Sequence, residues 1–232
     1  MMQFHIISAF PGVFSGFLNE SILKRAQDKG VVSFYVHDLR DYTTDKHRTI
    51  DDYPYGGGPG MILKPEPIFR AVEDIINTFD LDAPRIVLTS ASGEQFDQKM
   101  ANDFASKVDD SFIIICGHYK GIDERVRRYL ATDELCIGNY VLTGGELPAL
   151  IMIDSIVRLL PDVLGDFDSA VGDSFQSDLL DCDYYTRPQN FRGMNVPDVL
   201  LSGHHGKIKE WRKMRSEEIT RNRYPENKSL DK

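Results

Sequence analysis

Arg85-Ile86-Val87-Leu88-Thr89 and Phe112-Ile113-Ile114-Ile115-Cys116 are the two runs that decide the fold class. Each is continuously apolar, the pattern of a central strand covered on both faces. Between them the stretch from about Gln95 to Val108 reads as a helix. Working outward, Gln3-Phe4-His5-Ile6-Ile7-Ser8 is a short buried strand closed by Phe10-Pro11-Gly12. A helical stretch follows as far as Gly30, a good C-terminal stop. Val32-Ser33-Phe34-Tyr35-Val36, β-branched and aromatic, is a further strand. Pro67, Ile68, Phe69, Val72, Ile75, Ile76 and Phe79 then fall at helical spacing, with proline near the first turn. Strands alternating with helices at this interval mean an α/β fold with a largely parallel sheet.

Residues 146 to 160 carry Leu147, Leu150, Ile151, Ile153, Ile156, Val157, Leu159 and Leu160, which leaves almost no polar face. Such a helix must be buried all round. A chain of 232 residues has limited interior for it, so a subunit interface is the expected cover and a homodimer the expected assembly. Composition changes after Pro161: residues 162 to 183 hold seven aspartates and no lysine or arginine, which reads as an acidic linker. Residues 207 to 223 carry seven basic side chains against three acidic ones, with Ile208, Trp211, Met214 and Ile219 roughly on one helical side. The expected organisation is therefore a domain over 1–161, a flexible acidic linker over 162–175, and a small helical domain over 176–232.

The chain has 27 basic and 36 acidic residues, a net charge of −9. That total weighs against non-specific coating of nucleic acid, although the basic tail concentrates positive charge in one place. No apolar run approaches the roughly 18 residues of a membrane span, and the N-terminus lacks the basic leader of a signal peptide. Cys116, Cys136 and Cys182 form no CxxC pair, so a reducing cytosol is expected and a disulfide framework or zinc site is not.

Three loops after expected strands are rich in small residues: Thr89-Ser90-Ala91-Ser92-Gly93, Gly117-His118-Tyr119-Lys120-Gly121, and the stretch from Ile137 to Gly145. In open α/β sheets ligands sit at the carboxyl ends of strands, where glycine lets the backbone come close. A fourth glycine loop runs from Tyr55 to Met61. None is a GxxxxGK[ST] phosphate cradle or a GxGxxG after a strand, so ATP and dinucleotides have little local support. Cys116 is read as a buried small side chain in preference to a nucleophile. His204-His205 lacks a third ligand at useful spacing and is read as a turn or an RNA contact.

Taken together and in order, Tyr55-Gly56-Gly57-Gly58-Pro59-Gly60-Met61, Cys116-Gly117-His118-Tyr119-Lys120-Gly121-Ile122-Asp123-Glu124-Arg125, the run from Ile137 to Pro148, and Leu180-Asp181-Cys182-Asp183-Tyr184-Tyr185-Thr186-Arg187-Pro188 resemble the bacterial tRNA (guanine-N1)-methyltransferase family. Ser202-Gly203-His204-His205 and the Trp211 helix extend the likeness essentially end to end, which implies that 1–161 is a knotted S-adenosylmethionine-binding methyltransferase domain and 176–232 a tRNA-binding domain whose basic tail contacts the tRNA backbone. The resemblance implies a SPOUT-like parallel sheet whose strand ends form a deep trefoil knot, and S-adenosylmethionine as the methyl donor. It implies a cofactor pocket lined by Thr89, Ser90 and Ala91, by Gly117, Tyr119 and Gly121, by Ile137, Gly138, Asn139, Tyr140, Val141 and Leu142, and by Gly144, Gly145 and Pro148.

The same resemblance implies that guanine 37, just 3′ of the anticodon, loses its N1 proton to Asp173 of the Asp173-Ser174-Phe175 motif. Arg158, fifteen residues earlier, is the implied partner of O6. On residue pattern alone Arg158 is as readily an ion-pair partner of Asp154 one turn back, and Asp173 is one solvated aspartate of seven. His47, Asp51 and Gly60 are the implied substrate-side residues, tRNA and a second copy of the chain the implied partners with the active site shared between subunits, and the cytoplasm the implied location. The sequence departs from the family's best-known form at His118, Lys120 and Asn139. Magnesium assists some members through a glutamate that is Lys120 here, and a protonated lysine cannot coordinate a divalent cation, so no metal site is assigned. Two other readings share the loops: a SPOUT methyltransferase acting on another RNA position, and a catalytically silent RNA-binding dimer. Neither needs Asp173 in the way the first reading does.

Overall fold

A computed structural model describes residues 1–107, 111–164, 173–176 and 179–225. The chain divides into two compact units, Met1–Gly165 and Asp166–Lys232. The expected acidic linker falls largely on 165–172, outside the described residues.

In the first unit five strands form one parallel sheet in the order β2-β1-β6-β5-β7. They are β1 (Met2–Ser8), β2 (Val32–Asp38), β5 (Arg85–Gln95), β6 (Ser111–Cys116) and β7 (Asp133–Cys136). A two-residue hairpin, β3 (Asp51–Asp52) with β4 (Ile62–Leu63), stands apart from the sheet. The helices are α1 (Phe14–Leu18), α2 (Ser21–Asp28), α3 (Pro65–Phe79), α4 (Gln98–Ala105), α5 (Glu124–Tyr129) and α6 (Glu146–Val157).

The sheet explains why its central strands are apolar throughout. Phe4, Val87, Phe112 and Ile114 face a core built with Phe14, Phe104 and the α6 residues Ile153 and Val157. Ile7, Leu88, Ile113 and Ile115 face the opposite core, against Ile68, Val72 and Ile75 of α3. Phe4 and Phe112 are register partners whose rings stack with centroids 5.1 Å apart. Alternation of period two therefore exists, but both of its faces are dry.

The structure changes several expected boundaries. Residues 90–93, expected as a loop, lie within β5, which continues to Gln95 after a register shift: Thr89 and Glu94 both pair with Leu135. The helix expected from Gln95 begins at Gln98, where the Asp97 carboxylate accepts from the Met100 N–H at 2.8 Å. Such a cap fixes the start of a helix because it satisfies an otherwise orphaned donor. The helical stretch expected up to Gly30 is broken into α1 and α2 at Asn19 and Glu20, and Gly30 does adopt a positive φ of 68° after the second. Helix α6 stops at Val157, and within the chain it is not covered on every side: Leu147 is 55% exposed and Ile151 45%. These two residues lie one turn apart and form an apolar stripe open to solvent.

In the second unit a hairpin, β8 (Asn190–Phe191) with β9 (Met194–Asn195), precedes α7 (Asp198–Leu201) and α8 (His205–Arg223). The buried residue of α8 is Thr220, whose hydroxyl accepts from the Leu180 N–H at 2.8 Å and donates to the Ser216 carbonyl. Arg215 holds Asp183 at 2.7 Å. Met214, expected on the packed side with Trp211, is 53% exposed.

Candidate active site

A cavity of about 430 Å³ opens over the bulge of β5 and the carboxyl ends of β6 and β7. Three chain segments wall it, Thr89–Ser92, Gly117–Ile122 and Ile137–Gly145, with Leu88, Leu135 and Pro148 beneath them. The segments meet backbone to backbone. The Gly145 N–H donates to the Gly117 carbonyl at 2.7 Å, and the Gly117 N–H donates to the Thr89 hydroxyl at 3.1 Å. That hydroxyl in turn donates to the Ile115 carbonyl at 3.1 Å, so one buried threonine ties two strand ends.

Glycine is required at this junction by space. At the neighbouring β5 bulge, a Cβ on Gly93 would lie 2.5 Å from the Glu134 carbonyl group of β7. One on Gly117 would lie 2.9 Å from the Thr89 carbonyl oxygen, and one on Gly145 would meet the Thr89 hydroxyl and stand 2.7 Å from the Gly117 nitrogen. Gly138 differs, since its φ of 151° is itself a conformation few side chains adopt, and the Tyr140 ring folds over it.

The rim is polar. Arg127 of α5 pairs with Glu134 at 2.9 Å and reaches the Ser92 hydroxyl, which donates to Glu134 at 3.0 Å. These contacts pin the bulged part of β5 against β7. On the other side the glycine loop from Tyr55 to Met61 lies along Lys120: the Lys120 N–H donates to the Met61 carbonyl at 3.1 Å, and a Cβ on Gly60 would be 3.3 Å from that of Lys120. Beneath the loops, Glu146 at the start of α6 is buried and accepts from the Ser8 hydroxyl at 2.7 Å. Burial, reinforced by the neighbouring Glu146 carboxylate, pushes the Cys116 thiol well above its usual range. A thiol held protonated is a poor nucleophile, which supports reading Cys116 as packing. The ring of His118 lies against Phe10, and its buried Nδ1 has no hydrogen-bond partner among the described residues.

Of the residues expected around a cofactor, all but Asn139 line this cavity: Thr89, Ser90 and Ala91, Gly117, Tyr119 and Gly121, Ile137 and Gly138, Tyr140, Val141 and Leu142, and Gly144, Gly145 and Pro148. Ser92, Ile122 and Arg127 line it as well and were not read from the sequence. Ser92 belongs to the small-residue stretch Thr89–Gly93, a local signal, but Arg127 sits on a helix whose facing direction no local pattern gives. The substrate-side trio is not gathered there. Asp51 is on β3 opposite Leu63, His47 is in an exposed turn where its N–H donates to Asp45, and Gly60 packs on Lys120. Arg158 follows the last turn of α6, where its N–H donates to the Asp154 carbonyl. Burial raises the Asp154 carboxyl, and the Arg158 charge opposes that rise. Asp173 belongs to the second unit, in a turn closed by the Gln176 N–H on its carbonyl at 3.2 Å.

Among the described residues no group of three His, Cys, Asp or Glu side chains is arranged to hold a metal ion. Residue 120, which lines the cavity, is a lysine, and a protonated lysine cannot coordinate a divalent cation, so these donors do not fit one. The cavity does suit a small molecule with a flat polar ring. It offers backbone donors and acceptors at the rim, apolar walls from Leu88, Leu135 and Leu142, and an entrance bearing Arg127 and Lys120.

Comparison with known proteins gives a consistent picture. The profile of the family described as tRNA (Guanine-1)-methyltransferase TrmD matches residues 2–228. A tRNA (guanine-N(1)-)-methyltransferase from Geobacillus kaustophilus (strain HTA426) is 55% identical over 215 residues, 93% of this chain and 86% of its own length. One from Clostridioides difficile (strain 630) is 48% identical, covering 96% of this chain and 95% of its own. The crystal structure of the tRNA (m1G37) methyltransferase from Aquifex aeolicus superposes with a TM-score of 0.79 at 36% identity, covering 97% of this chain and 94% of that one.

Proposed function

We propose that this chain, which belongs to the tRNA (guanine-1)-methyltransferase TrmD family and is a tRNA (guanine-N1)-methyltransferase, takes its methyl group from S-adenosylmethionine and places it on N1 of guanine 37. The observation that carries the reading is the cavity over the bulge of β5 and the ends of β6 and β7, where three segments approach so closely that Gly117 and Gly145 admit no side chain. We read that close crossing as the trefoil knot of the family. The donor suits this cavity because its loops bring backbone groups close to a ligand while Tyr140 and Leu142 line it with apolar surface.

When bound, S-adenosylmethionine supplies an electrophilic methyl group: its S–CH3 bond breaks as the N1–CH3 bond forms, and the sulfonium becomes a neutral thioether. The protein positions the reactants and manages one proton. Asp173 takes the N1 proton of guanine, and Arg158 stabilises the charge that develops on O6. A base of this kind contributes roughly 10²- to 10⁴-fold. The half-buried Asp154 beside Arg158 orients that guanidinium.

The open stripe of Leu147 and Ile151 on α6 is the surface on which a second copy packs, giving a homodimer with the active site shared between subunits. The tRNA is held in part by the basic face of α8. No described helix is long and apolar enough to cross a membrane, and a cytoplasmic enzyme is the reading adopted.

The deciding experiment measures transfer of labelled methyl from S-adenosylmethionine to tRNA transcripts. Product is expected with guanine at position 37 and none when adenine replaces it. Asp173→Ala is expected to abolish turnover while the affinity for S-adenosylmethionine stays within twofold. A variant that loses affinity but turns over normally at saturation would refute the role given to Asp173.

A further inference from the structure

The second unit has a cavity of its own, about 510 Å³, lined in part by α8. Tyr184, Tyr185, Arg187 and Arg212 line it, over an apolar base that includes Leu200 and Ile208. Its aromatic rings are more open to water than their size favours, Tyr184 at 68% and Tyr185 at 49% exposure. Both rings are held in place. The Tyr184 hydroxyl donates to the Asp181 carboxylate, 2.9 Å from each oxygen, and loss of solvent around the phenol, then this bond, pushes its pKa up to about 12. Tyr185 leans on Trp211, ring centroids 6.4 Å apart.

The charges are arranged for an anion. Arg215 is neutralised twice over, by Asp183 at 2.7 Å and by Glu218. That leaves Asp183, the acid of this cavity, already engaged. Arg187 and Arg212 make no ion pair among the described residues. A guanidinium without a carboxylate partner beside an open aromatic face is the combination that holds a nucleotide: the ring stacks on the base and the fork takes the phosphate. Tyrosine faces tolerate any base, whereas the guanidiniums would repel a cationic segment.

We propose that this cavity is a nucleotide subsite in which one unstacked base of the tRNA lies on the Tyr184–Tyr185 face and its phosphate is held by Arg187 and Arg212. The subsite rests on tRNA being the substrate and is independent of which atom is methylated. It contributes affinity and placement and takes no part in the chemical step.

The test uses the full chain and a tRNA transcript, with dissociation constants from fluorescence anisotropy at several salt concentrations. Arg212→Gln is expected to weaken binding about tenfold and to reduce the salt slope by about one. Turnover at saturating tRNA and the KM for S-adenosylmethionine should stay within twofold of the parent. Tyr184→Phe keeps the ring and should bind within twofold, whereas Tyr185→Leu should weaken binding about tenfold with the salt slope unchanged. If Tyr185→Leu fails to fold, photocrosslinking of 4-thiouridine-substituted tRNA decides in its place, with Tyr184 or Tyr185 expected in the labelled peptide. Unchanged affinity in Arg212→Gln, or crosslinks confined to other peptides, would overturn the subsite. A parent chain that binds tRNA through these residues yet fails to methylate guanine 37 would instead refute the proposed reaction and leave the subsite standing.

Discussion

Gly145→Ala isolates the junction of the three segments better than any other single change. The backbone of Gly145, at φ −85° and ψ 0°, is one that alanine adopts freely, so the substitution has no conformational cost. By narrowing the unfolded ensemble it even stabilises the fold by roughly 0.4–1 kcal/mol. All of the penalty is steric: the new methyl would meet the Thr89 hydroxyl and lie 2.7 Å from the Gly117 nitrogen and 2.9 Å from the Cys116 Cα. Two of these neighbours are backbone and cannot rotate away. Overpacking of a tight site costs about 1–3 kcal/mol, and with backbone as the obstacle the upper part of that range applies, giving a net loss of about 2 kcal/mol. At a typical urea dependence of about 2 kcal/mol per molar, the unfolding midpoint should fall by about 1 M. Relief of the clash must part Gly145 from Gly117 and break their 2.7 Å hydrogen bond, which moves two walls of the cavity, so affinity for S-adenosylmethionine should fall at least tenfold by calorimetry. Gly206→Ala is the control, because a Cβ there meets nothing within 4 Å and the residue lies in α8; it should be neutral or stabilising by up to about 1 kcal/mol. A Gly145→Ala protein with parental midpoint and parental affinity would show that the segments are not packed as described.

The other predictions concern groups around that junction and one group well away from it. Glu134→Gln removes the ion pair with Arg127 while keeping the shape of the side chain, and should raise the KM for S-adenosylmethionine roughly threefold to tenfold with kcat within twofold, because the bulge of β5 loses its tie and the chemistry is untouched; a kcat loss with KM unchanged would contradict this. Cys116 should resist iodoacetamide in the folded protein at pH 8 and react only at the rate of unfolding, since burial and Glu146 hold its thiol protonated; rapid labelling followed by mass spectrometry is the check. His5 is fully buried against His37, Tyr35 and Phe79, while Tyr42 and Asp74 act on His37 behind it, and burial, then His37, lowers the His5 pKa from 6.5 to about 4. Because the unfolded state binds the proton more readily, this contribution is complete above pH 6.5 and is lost as pH falls toward 4, amounting to about 3 kcal/mol; urea midpoints of His5→Leu should show a shallower acid decline than the parent over that interval.

How much of this was legible depended on whether a residue's role is local. Continuous runs such as Phe112 to Cys116 marked central strands because both faces of the sheet are dry, a property each run carries in itself. The glycine loops were legible as small-residue clusters after strands, and all but one of the residues assigned to a cofactor line one cavity. The bulge in β5 was not legible. Ser90 to Gly93 resembles a turn in composition, and only the closeness of Glu134, more than forty residues away, makes it a strand irregularity. Arg127 was missed for the same reason: its partner Glu134 is on another element, so nothing in its own helix marks it. In α8 the expected apolar side placed Met214 inward, whereas the residue that is buried is Thr220, whose hydroxyl satisfies both the Leu180 N–H and the Ser216 carbonyl. A polar residue can occupy a buried helical position when it closes hydrogen bonds there, and hydrophobic spacing is blind to that exchange.

Net charge needs the same distinction between a total and its placement. The chain carries −9 overall, which by itself disfavours a polyanion such as tRNA. Residues 162–183 contribute −7 of it, seven aspartates with no base, while residues 207–223 contribute +4, seven bases against three acids. Within the second unit the acids are partly consumed internally, with Asp183 and Glu218 both on Arg215 and Asp181 accepting from Tyr184. Among the described residues this leaves Arg187 and Arg212 without an ion pair, lining one cavity with Tyr184 and Tyr185. Affinity drawn from so few contacts gives a shallow salt dependence, because each phosphate contact contributes roughly one to the slope of log K against log salt. A slope of about two to four for the parent chain is therefore expected, and a slope near ten would mean that the acidic total is overridden by a far larger basic surface than the described residues supply.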